Sequence, residues 1–333
     1  QHIKREKATS NICTSQVLLA VMAGMYAVHH GPKGLRQIAR HINILTGVLA
    51  GELEKYGYRQ LNRHFFDTVL IELPAGVSIQ AIREAMLHKE INLRYIDDRH
   101  IGISLDETTS LTDINTMVGI FAAANGKSYT EFICNPKECE LITTIPGELA
   151  RTSAWLQHPV FNSYHSETEM MRYIKKLEIK DLALNRSMIP LGSCTMKLNA
   201  AAELFALSYP EFGGIHPFVP KEQAGGYQFL IRELAADLAV ITGFHAVSFM
   251  PNSGAAGEYT GLLVIREYHR SRGDHHRNVC IIPSSAHGTN PASAAMAGME
   301  IVVVKCDEKG NIDIADLREK ADQHSSNLSA LMV

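Results

Sequence analysis

The short run Asn278 to Pro283 (NVCIIP) most constrains what this chain can fold into, because every residue after the first is apolar. A strand without alternating polar positions is typical of a parallel sheet covered on both faces. The pattern that follows predicts a helix at Ala292 to Ala297, a strand at Glu300 to Val304, a helix at Ile314 to Ala321 and a strand from Ser329 to Val333. This alternation predicts an α/β fold with a doubly wound, mainly parallel sheet.

The stretch MPNSGAAGE, which precedes this run, predicts a tight turn that opens a helix. We expect a strand at Ala246 to Met250, a turn at Asn252 to Gly254 and a helix from Ala255 onward, so that the helix opening consists of Ser253, Gly254 and Ala255. The first turn of a helix presents unpaired N–H groups and the positive end of the helix dipole, which together favour an anion. These three residues are therefore candidates for binding a phosphate. A helix cap that binds nothing has the same sequence pattern.

The kind of phosphate is narrowed by two motifs that this stretch lacks. It has no GK[ST] of a nucleotide P-loop, and no GxGxxG follows a predicted strand. A dinucleotide is therefore not expected. A small phosphorylated cofactor fits better, and pyridoxal phosphate is the obvious one for this type of sheet.

A second loop, SSAHGTNP, follows the strand that ends at Pro283. Both loops leave predicted strands at the carboxyl edge of the sheet, where α/β proteins bind their ligands. His287 could stack on an aromatic cofactor ring, or it could satisfy backbone groups in a turn. Ser285, Thr289 and Asn290 could hydrogen-bond a substrate carboxylate or a cofactor oxygen, or could be ordinary turn residues.

A third small-residue stretch, PLGSCTMKLN, provides further candidates for contact with the substrate: Ser193, Cys194, Thr195 and Lys197. Cys194 has no histidine nearby in sequence, which favours a structural role over a nucleophile. Lys197 precedes the phosphate loop, whereas the lysine that binds pyridoxal phosphate in enzymes of this kind comes well after it. We therefore interpret Lys197 as an anion contact or a solvated lysine.

The first half of the chain predicts a smaller α+β domain. Two helices are separated by the helix stop His29-His30-Gly31-Pro32, and the first is apolar enough to be buried. The predicted elements are helices at Asn11 to Val28 and Lys33 to Tyr56, a strand at Asp67 to Leu73, a helix at Ile79 to Leu87 capped by Ser78, a hairpin of Asn92 to Ile96 with Ile101 to Leu105, and a helix capped by Thr112 that runs to about Ala124. Beyond this domain we expect a helix after the capping box at Ser166 and a helix at Tyr227 to Gly243, with Leu230, Leu234, Leu238 and Ile241 on one apolar face.

Composition excludes several functional classes. The net charge of −3 gives no basic footprint for nucleic acid. The longest apolar run, Val17 to Val28, is shorter than the roughly 20 residues that a bilayer span needs. Six scattered cysteines without a CxxC indicate free thiols in a reducing compartment, and no histidine spacing suggests a metal site. Because the chain begins at Gln1 and ends within a predicted strand, we expect a segment of a longer protein.

Four long and unusual stretches resemble one family. They are REKATSNICTSQVLLA (Arg5 to Ala20), MIPLGSCTMKLN (Met188 to Asn199), MPNSGAAGEYTGL (Met250 to Leu262) and PSSAHGTNPASAAMAGM (Pro283 to Met299). Together they resemble segments of the P-protein of the glycine cleavage system, glycine dehydrogenase (decarboxylating). The resemblance extends over essentially the whole chain.

This resemblance implies two homologous halves, each built like a fold-type I enzyme that uses pyridoxal phosphate. Residues 1–135 would end the first half with its small α+β domain, residues 136–190 would bridge, and residues 191–333 would begin the cofactor-binding half. The implied reaction is decarboxylation of glycine, followed by transfer of the aminomethyl group to the lipoyl disulfide of the H-protein. A homodimer, or a pairing of the two halves, is implied, in the cytoplasm or in the mitochondrial matrix of a eukaryote.

One departure from the family limits what this segment is expected to do. The family's aldimine lysine, and the acidic residue that pairs with the pyridine nitrogen, are expected beyond Val333. We therefore expect the isolated segment not to decarboxylate glycine. Two alternatives stay open: another fold-type I amino acid decarboxylase or aminotransferase, and a non-catalytic half that contributes only an interface.

Overall fold

The computed structural model describes residues 14–133, 142, 144–180, 186, 202 and 205–333, with side chains from Leu19 onward. Its helices and strands are α1 (Thr14–Lys55), β1 (Arg59–Gln60), β2 (Thr68–Glu72), α2 (Ile79–Leu87), β3 (Arg94–Tyr95), β4 (His100–Ser104), α3 (Leu111–Ala124), α4 (Glu167–Glu178), α5 (Pro210–Gly213), α6 (Gly225–Thr242), α7 (Gly254–Ser271), β5 (Val279–Pro283), α8 (Thr289–Met296), β6 (Glu300–Val304), α9 (Ile314–Gln323) and β7 (Leu328–Leu331). Short 3-10 turns lie at Gly147–Leu149, Pro159–Asn162, Ala206–Ser208 and Lys221–Gln223.

The chain forms two compact units. Ala20–Ser187 is the α+β unit, and Met188–Val333 together with Gln1–Leu19 is the parallel-sheet unit. The predicted division into residues 1–135, 136–190 and 191–333 stays a prediction.

The α+β unit has an antiparallel sheet in the order β1-β2-β4-β3. Val69 and Ile71 of β2 lie opposite Ile103 and Ile101 of β4, and all four side chains are buried. The residues between them are more exposed, as the two-residue period of a strand requires when one face is covered. The buried face packs with apolar residues of α1, α2 and α3 into a single core.

The long helix α1 is broken at Gly31, where the predicted helix stop lies. Gly31 has φ 60° and ψ −178°, a backbone region that is open essentially to glycine alone. A Cβ atom there would also lie 2.5 Å from the backbone oxygen of Phe161 and 2.8 Å from Cε1 of His165. Nδ1 of His165 lies 2.7 Å from the backbone oxygen of His29. The segment that carries Phe161 and His165 therefore packs against α1 at the break.

We predict that Gly31→Ala lowers the free energy of unfolding by about 2–5 kcal/mol, because it adds both backbone strain and overpacking. Urea denaturation followed by circular dichroism measures this change. Gly24→Ala in the same helix is the control, since a Cβ at Gly24 meets nothing within 4 Å. The alanine at position 24 should be neutral or slightly stabilising. Equal effects at the two positions would contradict the role assigned to Gly31.

A buried tyrosine links the start of the sheet to α3. The hydroxyl of Tyr58 donates to the backbone oxygen of Phe121 at 2.7 Å, and the two rings meet edge to face. The residue is 2% exposed. Burial raises the pKa of Tyr58 from 10.0 to about 12, because the tyrosinate anion loses its hydration in the core.

We predict an alkaline loss of stability that depends on Tyr58. The contribution of the neutral phenol is complete below pH 10 and is lost as the pH rises through about 12, because the unfolded chain releases the proton first. The loss amounts to about 2–3 kcal/mol. Urea midpoints measured between pH 8 and pH 12 should fall less steeply in Tyr58→Phe than in the parent. Tyr209→Phe, at a residue 53% exposed, should leave the slope unchanged.

The parallel-sheet unit has the strand order β6-β5-β7, and both pairings are parallel. Every residue of β5 is buried. Cys280 and Ile282 of β5 pack with Leu262 of α7 and Ala294 of α8 on one face. Val279 and Ile281 pack on the other face with Leu317 and Ala321 of α9. Helices therefore cover β5 from both sides, as its uninterrupted apolar sequence predicted.

Three sequence predictions are corrected by the structure. Residues 246–250 form no strand, since no described strand pairs with them and Met250 is 88% exposed. The apolar start of α1 is exposed rather than buried, with Leu19 and Met22 each 67% exposed. The cap of α3 is Ser110 and not Thr112, because Ser110 and Asp113 form a complete capping box.

The apolar stripe predicted along residues 227–243 lies on helix α6, but α6 has no buried residue. Leu230, Leu234 and Ile241 are 49%, 46% and 77% exposed. Within the described part of the chain, no other element covers this stripe.

Candidate functional site

Helix α7 starts at Ser253, which is its N-cap. The backbone of Ser253 is extended, and its Oγ accepts a hydrogen bond from the N–H of Ala256 at 3.1 Å. The N–H groups of Gly254 and Ala255 belong to the first turn, where a helix provides no acceptor. Gly254 is exposed, and a Cβ there would meet nothing within 4 Å. The first turn is therefore open to an anion, and the Ser253 hydroxyl keeps a proton to donate.

The direction of α7 follows from contacts near its other end. Nε2 of His269 lies 3.1 Å from the backbone oxygen of Ser329 in β7. This part of β7 pairs with the first residues of β5, at the amino edge of the sheet. Since the C-terminal part of α7 lies at the amino edge of the sheet, the N-terminus of α7, with Ser253, lies toward the carboxyl edge.

Helix α8 also starts at the carboxyl edge, because it follows directly on the loop after β5. Arg266 of α7 donates from Nη1 to the backbone oxygen of Ala297, just past the end of α8, at 2.7 Å. The two helices therefore share one face of the sheet and run in the same sense. Ser253, Gly254 and Ala255 lie at the same edge as His287, Thr289 and Asn290, although residues 246–250 are not a strand.

His287 is exposed and oriented by its own loop. Its Nδ1 accepts the backbone N–H of Thr289 at 3.2 Å, and its backbone oxygen accepts the N–H of Asn290 at 3.0 Å. A ring that accepts at Nδ1 carries its proton at Nε2 when neutral, so Nε2–H remains available as a donor. Thr289 is half-buried, and Asn290 is 9% exposed.

The other predicted substrate contacts, Ser193, Cys194, Thr195 and Lys197, lie outside the described residues.

Cys306 is a residue of this edge that the sequence reasoning missed. It follows β6, and its Sγ lies 3.2 Å from Oγ of Ser285 in the loop after β5. Hydrogen bonds from Ser284 and Ser285 favour the thiolate and lower the pKa of Cys306. Cys280, near the amino end of β5, is buried, which raises the pKa of its thiol. Only the parallel register of β5 and β6 brings Cys306 to this loop, so no local sequence signal could have found it.

A second missed residue is Glu258, one turn into α7. Its Oε2 is buried and has no hydrogen-bond partner among the described residues. This carboxyl group distinguishes the second turn of α7 from the first, which presents N–H groups and the Ser253 hydroxyl.

We predict that iodoacetamide alkylates Cys306 before Cys280 in the folded protein, with a midpoint in pH below the ordinary thiol value of 9.0. Mass spectrometry of the peptides after a pH series measures each site separately. Ser284→Ala should raise the midpoint for Cys306 towards 9.0, since the largest stabiliser of the thiolate is lost. A midpoint that does not move in this variant would contradict the proposed cause.

Metal and membrane sites are not found in the described ranges. No group of three or more His, Cys, Asp or Glu side chains there could hold a metal ion. Of the helices that the structure describes, none has the length and apolar character that crossing a bilayer requires.

Comparison with known proteins finds similarity to one family. A family profile described as glycine cleavage system P-protein matches residues 1–121. The glycine dehydrogenase (decarboxylating) of Nostoc punctiforme is 56% identical over 338 residues, which cover 100% of this chain and 34% of that protein. The similarity to proteins of this name therefore extends over the whole chain, and the P-protein profile covers its first 121 residues.

Other relatives of the same name are similar to this chain to the same degree. The protein of Thermosynechococcus vestitus is 57% identical over 333 residues, covering all of this chain and 34% of the relative. That of Bacteroides thetaiotaomicron is 56% identical over 333 residues, with 35% of the relative covered. The chain thus spans about a third of the length of the curated relatives that it matches.

Proposed function

We propose that this chain contributes the phosphate-binding part of a pyridoxal phosphate site in a glycine-decarboxylating P-protein of fold type I. The observation that carries the proposal is the identity of 56% and 57%, over the whole chain, to proteins named glycine dehydrogenase (decarboxylating). The open first turn of α7 at the carboxyl edge of a parallel sheet supports it.

The described residues fit such a cofactor in two respects. Ser253 and the N–H groups of Gly254 and Ala255 would hold the phosphate, since they combine a free hydroxyl proton with a helix N-terminus. His287 would lie against the ring, because the N–H of Thr289 fixes the orientation of its imidazole. When bound, pyridoxal phosphate supplies the electron sink that allows the bond between Cα and the carboxylate of glycine to break.

The remaining parts of the proposal follow from the family. Asn290, with Ser193, Cys194, Thr195 and Lys197, would contribute to binding glycine. The lipoylated H-protein would receive the aminomethyl group, and the enzyme would act in the cytoplasm as a homodimer or as paired halves.

The decarboxylation is tested by exchanging the matching third of the Nostoc punctiforme enzyme for this chain. The full-length chimera should catalyse exchange of labelled bicarbonate with the carboxyl group of glycine in the presence of the H-protein. A chimera that folds and binds pyridoxal phosphate but exchanges no label would overturn the proposed reaction and leave the cofactor site standing.

We predict that Ser253→Asp weakens binding of pyridoxal phosphate to the 333-residue chain at least tenfold. Aspartate is as good an N-cap as serine, so the helix persists while its charge repels the phosphate. Binding is measured by equilibrium dialysis with absorbance detection, and pyridoxal, which has no phosphate, should bind equally to both proteins. The control Ser166→Asp makes the same change at the N-cap of α4 and should have no effect. Unchanged affinity in Ser253→Asp would exclude this phosphate site.

A further inference from the structure

A cavity in the α+β unit lies outside the site described above. Its volume is about 760 Å³, within the range of roughly 300–1,000 Å³ that is common for small-molecule sites. Its walls are mostly apolar, with Leu35 and Ala39 on α1, Phe66 before β2, and Ile145 and Leu149 on the segment that leads to Trp155.

Three arginines line this cavity, namely Arg36, Arg40 and Arg151. Among the described residues of the lining there is no carboxylate. Arg40 has an interaction of its own, so the inference rests on Arg36 and Arg151. In the described part of the chain, neither of these two takes part in an ion pair. Both guanidinium groups are exposed at the side of the apolar walls, where an anion can reach them and pair with their N–H donors.

The wall of the cavity is held in place by a buried polar network. Nδ2 of Asn43 donates to the backbone oxygen of Phe66 at 2.9 Å and to Oγ1 of Thr144 at 2.5 Å. The N–H of Thr144 donates in turn to Oδ1 of Asn43 at 3.3 Å. A Cβ at Gly47 would lie 2.5 Å from Cγ2 of Ile142, so this segment packs tightly against α1. These contacts fix the wall of the cavity, and a wall that is already fixed lowers the cost of binding a ligand.

We propose that this cavity binds an organic carboxylate with an apolar body of medium size. Arg36 and Arg151 would hold the carboxylate, since the guanidinium fork matches its two oxygens. Phe66, Leu149 and Trp155 would cover the apolar body. Nothing in this assignment depends on the cofactor edge of the other unit.

Trp155 provides a direct readout, because it is the one tryptophan in the 333-residue chain. Octanoate is the probe, and octanamide is its neutral counterpart of similar shape. Octanoate should change the emission of Trp155 in a saturable way and bind at least tenfold more tightly than octanamide. Failure of octanoate to saturate the signal, or equal affinity for the two probes, would overturn the proposal.

Substitutions test whether Arg36 and Arg151 bind the carboxylate of octanoate. Arg36→Gln and Arg151→Gln should each weaken octanoate binding about tenfold and leave octanamide binding unchanged, which also shows that the variants are folded. The matched control is Arg172→Gln, an exposed arginine on α4 that is not part of the lining.

A second kind of variant covers the case in which an arginine variant fails to fold. Leu149 is 66% exposed, so Leu149→Glu can add a carboxylate to the wall without opening the core, and it should abolish octanoate binding. Octanoate affinity that survives Leu149→Glu, or that falls as much in Arg172→Gln as in Arg36→Gln, would contradict the site.

Discussion

The burial of β5 on both faces is the constraint on which the parallel-sheet unit depends. Cys280 and Ile282 need α7 and α8 on one side, while Val279 and Ile281 need α9 on the other. A five-residue apolar strand exposed on either face would lose roughly 1.5–3 kcal/mol for each large side chain left in water. Burial of β5 therefore determines on which faces of the sheet these helices pack. Their N-termini reach the carboxyl edge because parallel strands require each connection to return to the opposite edge.

What could be predicted from the sequence was mainly local. Ser78 and Ser166 cap α2 and α4 as predicted, because a cap depends on residues within one turn. The strand Glu300 to Val304 has the predicted bounds, since its apolar run is flanked by a glycine turn and a charge. The break of α1 at Gly31 was also predicted, from the adjacent Gly31-Pro32 pair.

What failed depends on partners distant in sequence. An apolar run such as residues 246–250 becomes a strand only beside another strand, and no described strand is its neighbour. The exposure of Leu19 and Met22 has the same origin, because apolar composition favours burial but does not supply a covering surface. The contact of Cys306 with Ser285, and the cavity of the α+β unit, arise from strand register and from the Asn43 network. Neither leaves a pattern in a single stretch of sequence.

The cap of α7 and a phosphate site at the same residue are compatible, although the sequence presented them as alternatives. A serine oxygen has two lone pairs and one proton, and the N–H of Ala256 uses a single lone pair. The cap fixes the side chain and leaves the proton and the N–H groups of Gly254 and Ala255 for a ligand. His287 is similar: its Nδ1 accepts the N–H of Thr289, and its Nε2 remains available to a ligand. In both places a hydrogen bond between residues close in sequence already restricts the side-chain rotamer. A ligand then does not have to restrict it, so binding costs less conformational entropy.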